Sequence, residues 1–184
     1  MKANDLKPGN AIIQDGQLWM VTKTEHVKPG KGGAFVQAKI KSIKFGSVQE
    51  KRYRSTDEVE LVILDRREME YLYSDNDGAV FMDNETFEQS TLSEEVLGQS
   101  LKYLKPNEKI NGLHHDGTVI TIELPQVVEL EVSDAPPGIK NATATSVMKE
   151  ATMETGLIVK VPEFINIGDR IRVNTDTGEY QSRA

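Results

Sequence analysis

From Glu25 to Phe35 the chain reads Glu25-His26-Val27-Lys28-Pro29-Gly30-Lys31-Gly32-Gly33-Ala34-Phe35. One lysine, Lys31, has glycine on both sides, and Pro29 stands just before the group. Glycine relaxes the backbone and adds no side-chain bulk, so the segment can turn tightly and approach another surface closely. The spacing predicts a loop that carries the Lys31 amine at its tip, supported by Pro29, Gly30, Gly32 and Gly33. Such an amine could be a cation for phosphate, a Schiff-base nucleophile or the lysine of a P-loop. The nucleophile needs its pKa lowered in a dry pocket, which an exposed tip between glycines does not supply. The P-loop needs Ser or Thr after the lysine and then a helix. Here Gly32 follows, and then a strand pattern. The cationic probe remains, set against the plainer reading of an ordinary surface lysine.

The charge around the loop supports a phosphate target. The chain of 184 residues has a formal net charge of −7, which by itself argues against nucleic acid. The distribution is uneven. Residues 1–62 carry 11 Lys+Arg against 7 Asp+Glu, residues 63–126 carry 5 against 13, and residues 127–184 carry 6 against 9. Between Glu25 and Glu50 there is no acid, while Lys28, Lys31, Lys39, Lys41 and Lys44 lie there with His26 beside them. A one-signed stretch produces a local field that attracts phosphate even on an acidic protein. Against this stands the plainer reading of a solvated strand face.

The elements that must position this loop are almost all strands. Val36, Ala38 and Ile40 alternate with Gln37, Lys39 and Lys41. The same period of two runs through Ile120, Ile122 and Leu124, through Val128, Leu130 and Val132, and through Ile171 and Val173. Period two with one polar face predicts half-buried antiparallel strands. Asp15-Gly16, Asp77-Gly78, Asp116-Gly117 and Thr177-Gly178 mark hairpin turns. One helix is expected from Ser93 to Leu104, with Ser93 as N-cap, Glu94 and Glu95 at the positive end of the dipole, and a stripe of Leu97, Leu101 and Leu104. Pro106 and Asn107 stop it. The leucine stripe reads as core packing.

Short strands at close spacing predict small barrels. The charge breaks divide the chain into residues 1–62, 63–126 and 127–184, each of a size at which a small barrel still holds a core. There is no cysteine, so disulfides and thiolate metal sites are excluded. No apolar run approaches a membrane span, and residues 1–7 lack the apolar stretch of a signal peptide, so a soluble cytoplasmic protein is expected. His114-His115 reads as surface hairpin residues, since adjacent strand residues point to opposite faces and no further ligand is in view. Asp75, Asp77 and Asp83 read as turn residues, without EF-hand spacing.

Three segments in order then carry a resemblance: Lys28 to Phe35; Phe81-Met82-Asp83-Asn84-Glu85-Thr86-Phe87-Glu88-Gln89; and Lys149-Glu150-Ala151-Thr152 through Gly156, Val159-Lys160-Val161-Pro162 and Gly168, continued by Thr177-Gly178-Glu179-Tyr180 and Arg183. Over essentially its whole length the chain resembles bacterial translation elongation factor P. The resemblance implies an all-β fold of three small β-barrels in series: a KOW or SH3-like N-terminal barrel carrying the lysine loop, then a central and a C-terminal OB fold. It also implies an L-shaped, tRNA-like outline, with one short helix in the middle domain.

It implies a non-enzymatic monomer, needing no bound metal or small-molecule cofactor, that binds the ribosome beside the peptidyl-tRNA. There it would stimulate peptide-bond formation and relieve stalling at consecutive prolines. The residue matching Lys31 reaches the acceptor end of the tRNA, and a lysine-modifying enzyme lengthens it in many members. His26, Lys28, Lys39 and Lys41 are then candidates for tRNA contact. The family's last domain often carries a Gly-Asp-Thr loop that approaches the exit-site mRNA codon. Here the stretch is Lys140-Asn141-Ala142-Thr143, which makes Asn141 and Thr143 the candidates, and Asn tolerates a left-handed turn. Tyr180 and Arg183 are candidates for contact with RNA or ribosomal protein. The alternative function is a general RNA-binding OB-fold protein or RNA chaperone, which would bind free RNA without ribosomes. The acidic second and third units argue against it.

Overall fold

The computed structural model describes residues 1–138 and 147–184. The contact candidates Asn141 and Thr143 lie outside the described residues. Three five-stranded antiparallel sheets follow one another along the chain.

The first holds β1 (Ala11–Gln14), β2 (Gln17–Val27), β3 (Phe35–Ser42), β4 (Val48–Arg54) and β5 (Glu60–Val62), in the order β4-β3-β2-β1-β5. The second holds β6 (Asp65–Asp75), β7 (Gly78–Asp83), β8 (Gln89–Leu92), β9 (Lys109–His115) and β10 (Thr118–Glu123), in the order β10-β9-β6-β7-β8. The third holds β11 (Val127–Asp134), β12 (Met148–Met153), β13 (Ile158–Pro162), β14 (Arg170–Asn174) and β15 (Tyr180–Arg183), in the order β13-β12-β11-β14-β15. In the second and third sheets the edge strands approach each other, β8 to β10 and β13 to β15, so each sheet curls toward a barrel.

Each unit has its own core. Val21, Ala38, Ile40, Trp19 and Tyr53 fill the first. Phe81, with Tyr71 at 5.4 Å between ring centroids, anchors the second. Leu130, Val132, Val159, Val161, Ile171 and Val173 fill the third. The alternation in β3, β11 and β14 lies as its sequence predicts, apolar side in. Near Ile120 it does not. A register shift between Val119 and Thr121 changes the phase of β10, so Val119 is buried while Ile120 is only half-buried. An extra residue in one strand reverses which face its neighbours occupy.

Two of the predicted turns are two-residue hairpins, with Asp15 and Gly16 at φ 53° and 72°, and Asp116 and Gly117 at 49° and 78°. Positive φ at both positions is the geometry that twists with the strands. At the third, Asp75 pairs with Gly78, so Asn76 and Asp77 make the turn and Gly78 opens β7. His114 is buried rather than on the surface: on β9 its ring turns inward and Nδ1 donates to the Gly112 carbonyl at 3.2 Å.

The expected single helix is two pieces. An α-helix, α1, covers Glu94–Leu97, and a 3₁₀ segment covers Gly98–Tyr103. Gly98 adopts φ 54°, which ends the α-helix after one turn. Ser93 occupies the N-cap position, but its side chain makes no capping hydrogen bond.

Asp83 organises the turn between β7 and β8. Its Oδ1 accepts the N–H groups of Glu85 at 2.8 Å and Thr86 at 3.0 Å, and the Phe87 N–H donates to its carbonyl at 2.8 Å. Phe87 is held at φ 60° and is 71% exposed. A left-handed conformation costs a non-glycine residue about 1–2 kcal/mol. Phe87→Gly is therefore expected to stabilise the protein by up to about 1 kcal/mol, the gain being trimmed by glycine's unfolded-state entropy. A urea midpoint that falls on this substitution would contradict it.

The hydrogen bonds from Thr86 and Glu85 hold the Asp83 carboxyl below the usual aspartate range, with the Arg67 guanidinium adding to the effect. A folded pKa below the unfolded value stabilises the native state above the unfolded value, about 3.9, and the gain is lost as pH falls through the folded value. Asp83→Asn is expected to be less stable than wild type at pH 7. The gap should close as the pH drops below the aspartate range, as read from urea melts at several pH values.

Candidate functional site

The lysine loop joins β2 to β3. Val27 pairs with Phe35, which leaves residues 28–34 outside the ladder. Residues 28–33 are exposed, and among the described residues their backbone makes no hydrogen bond to the rest of the protein. Lys31 is exposed midway along the loop, four residues from the last paired residue on either side. It has no hydrogen bond or ion pair among the described residues.

The three glycines differ in what they do. Gly32 has φ 112°, a conformation that L side chains rarely adopt, so the turn itself calls for glycine there. Gly30 and Gly33 have ordinary φ, and a Cβ built on either meets nothing within 4 Å. The isolated fold does not need these two. What they provide is a narrow loop.

The strand register sorts the charges near the loop. Phe35 pairs with Arg54, Gln37 with Arg52, and Lys39 with Glu50. Directly paired residues share a face, so these six side chains lie on the outward face of the first sheet, while Val36, Ala38 and Tyr53 point inward. Lys23 on the same sheet is already matched, by Glu25 at 2.6 Å. That pairing raises the Lys23 ammonium and lowers the Glu25 carboxyl from their ordinary values, chiefly through the hydrogen bond between them.

The positions of the sequence candidates vary. Lys28 and Lys31 lie together in the exposed loop. Lys39 is on the outward face, beside the Gln37 side chain that donates to Glu50 at 3.1 Å. His26 is one residue before the end of β2, where Nε2 donates to the Asn4 carbonyl at 2.9 Å. Lys41 lies at the other end of β3, about 20 Å from the loop at strand rise. It lines a cleft of about 250 Å³ between the first and second units, with Met20, Ile43, Arg66 and Val96. In the third unit Tyr180 packs against the core. Arg183 is engaged, donating to Asp169 at 2.8 Å and lying over the Phe164 ring. The Asn166 N–H and then Arg183 hold the Asp169 carboxyl below its usual range.

Two cations beside the loop escaped the sequence reading. Arg52 and Arg54 are exposed and line a cleft of about 630 Å³ with Gly33, Ala34 and Phe35. The Arg52 guanidinium lies 3.6 Å from the Phe35 ring centroid. The available signal was the run Arg52-Tyr53-Arg54, where an apolar residue between two arginines at period two puts both on one face. That run lies just beyond the acid-free stretch that ends at Glu50.

Three family models match the chain in order: Elongation factor P (EF-P) KOW-like domain over residues 2–59, Elongation factor P (EF-P) OB domain over residues 64–122, and Elongation factor P, C-terminal, over residues 128–183. Among solved structures, the chain is similar to a eukaryotic translation initiation factor 5A from Methanococcus jannaschii, 24% identical with a TM-score of 0.50, covering 67% of this chain and 92% of that one. A translation initiation factor 5A family protein from Naegleria fowleri is 16% identical with a TM-score of 0.40, covering 67% of this chain and 96% of that one. At 24% identity the likeness to the first of these concerns the fold alone.

Proposed function

We propose a mode of action from one premise: the chain belongs to the elongation factor P family, its KOW-like, OB and C-terminal domains following in that order. It is thus a translation elongation factor. On our reading it binds the ribosome beside the peptidyl-tRNA, directs Lys31 at the acceptor end, and stimulates peptide-bond formation where consecutive prolines stall the chain. The observation that carries this reading is the Lys31 amine, exposed and unpartnered among the described residues on a loop thinner than its own fold needs.

The chemistry asked of it is positional. Proline's ring fixes its backbone, which makes it an awkward partner in bond formation. Holding the reacting ends in place can supply several kcal/mol without the factor forming any bond itself. A lysine ammonium on a slim loop can enter an RNA cleft and meet phosphate or sugar oxygens. Lys28 and Lys39 back it with further positive charge, so binding should weaken as salt rises. This mechanism calls for no catalytic side chain, metal or cofactor, and it places the protein with the ribosome in the cytoplasm.

The exposure that suits contact also leaves the amine open to a lysine-modifying enzyme. Intact mass of the protein from its own organism, set against the sequence mass, reads out any such group. The function is tested in a reconstituted translation system without an endogenous factor of this kind. Adding the protein should raise the yield of a reporter containing a proline run and leave a proline-free control unchanged. Equal yields with and without it would refute the reading.

A further inference from the structure

We propose that the cleft at the foot of the lysine loop is a subsite for one unpaired RNA nucleotide, its base stacked on Arg52 and its phosphate on Arg54. The proposal rests on the reading of Lys31 as a probe for the tRNA acceptor end, and adds a second point of contact to it.

The Phe35 ring supports one face of the Arg52 guanidinium at 3.6 Å from ring centroid to guanidinium carbon. The ring thus backs the guanidinium within the cleft that both residues line. Unpaired bases rest on aromatic rings and on arginine planes, because every base has a π-face. Arg54 lies two residues further along β4 and directly across from Phe35. Same-face neighbours on a strand are about 7 Å apart, the order of separation between a base and its own phosphate.

Neither guanidinium pairs with a carboxylate among the described residues. Asp57, the acid in the cleft, already accepts the Arg54 N–H at 2.8 Å. Gly33 and Ala34 form the wall toward the loop and keep it low. A base in a duplex has no free face to offer here, so the site selects a single strand. The end of a tRNA is such a strand, and Lys31 on the adjacent loop would meet its neighbouring backbone.

The test uses the full chain and a trinucleotide of the tRNA 3′ sequence with 2-aminopurine as its last base, whose fluorescence falls on stacking. Wild type should quench it saturably. Arg52→Ala should abolish the quench and weaken binding about tenfold. Arg52→Lys keeps the charge but not the plane, and should behave like Arg52→Ala. Arg54→Ala should weaken binding and flatten its salt dependence. Circular dichroism of each variant should match wild type, since both arginines are exposed.

Restoration by Arg52→Lys, or a quench that survives Arg52→Ala, overturns the subsite. So does an Arg52→Ala protein that binds the trinucleotide normally but is no longer a substrate for lysine modification, which would make the cleft a protein-docking surface. The two readings fail separately. If Lys31→Ala removes proline-run stimulation while the Arg52→Ala quench persists, the subsite falls and the function stands. If the quench is lost in Arg52→Ala but Lys31→Ala keeps full stimulation, the function falls and the subsite stands.

Discussion

Lys31→Ala is expected to bring proline-run synthesis down to the level seen without the factor, while leaving the fold as it is. The two halves of this expectation have separate causes. Lys31 is exposed and makes no hydrogen bond or ion pair with the described residues. Surface changes of that kind move stability by no more than about 0.5 kcal/mol, so the urea midpoint should not shift. The loss of activity follows from position. Lys31 stands at the tip, with Lys28 nearer the sheet, and no neighbouring cation can replace an amine at the end of a narrow loop. Lys31→Arg keeps the charge but presents a broader, planar head, and should recover only part of the activity. Full stimulation by Lys31→Ala would leave the loop without its assigned role.

The largest stability loss is expected from Tyr103→Ala. Tyr103 belongs to the 3₁₀ segment of the second unit, yet it is buried in the core of the third, among Val128, Leu130 and Val173. Around it the Thr155 hydroxyl donates to the Lys102 carbonyl, Lys105 and Glu154 pair at 3.5 Å, and the Thr175 hydroxyl donates to the Pro125 carbonyl at 2.7 Å. Leu124 packs against both cores. Removing a buried aromatic ring costs about 3–5 kcal/mol. Here the cost should fall on the joint, so that calorimetry resolves separate transitions for the two units. Tyr103→Phe keeps the ring and should stay within about 1 kcal/mol of wild type. Because the proposed action is positional, Tyr103→Ala should also lower proline-run stimulation with Lys31 untouched. One transition displaced only slightly would mean that the tyrosine fills a gap and does not hold the joint.

Much of the site was legible because it is local. The β2–β3 loop, its glycines and its exposed lysine depend on neighbours within a few residues, and Asp15-Gly16 and Asp116-Gly117 carry their own turn conformation. The misreadings share a cause. Ile120 was placed by an unbroken period of two, and a register shift beside it broke that period. The leucine stripe runs to Leu104 through Gly98, whose φ of 54° ends the α-helix after one turn. Lys41 was grouped with the loop by its place in a basic run, although six strand residues carried it to the cleft between two units.

The sequence alone therefore determined the strand faces, the hairpins, the family resemblance and the slender lysine loop, since each rests on backbone preference and alternation over short range. Tertiary structure decided which cations share a face with that loop and which side chain locks the second unit to the third. Phe35 meets Arg52 and Arg54 only through the β3–β4 register, and Tyr103 finds its core only across a joint between units. Such partners lie far apart along the chain, and only the folded chain brings them within contact distance.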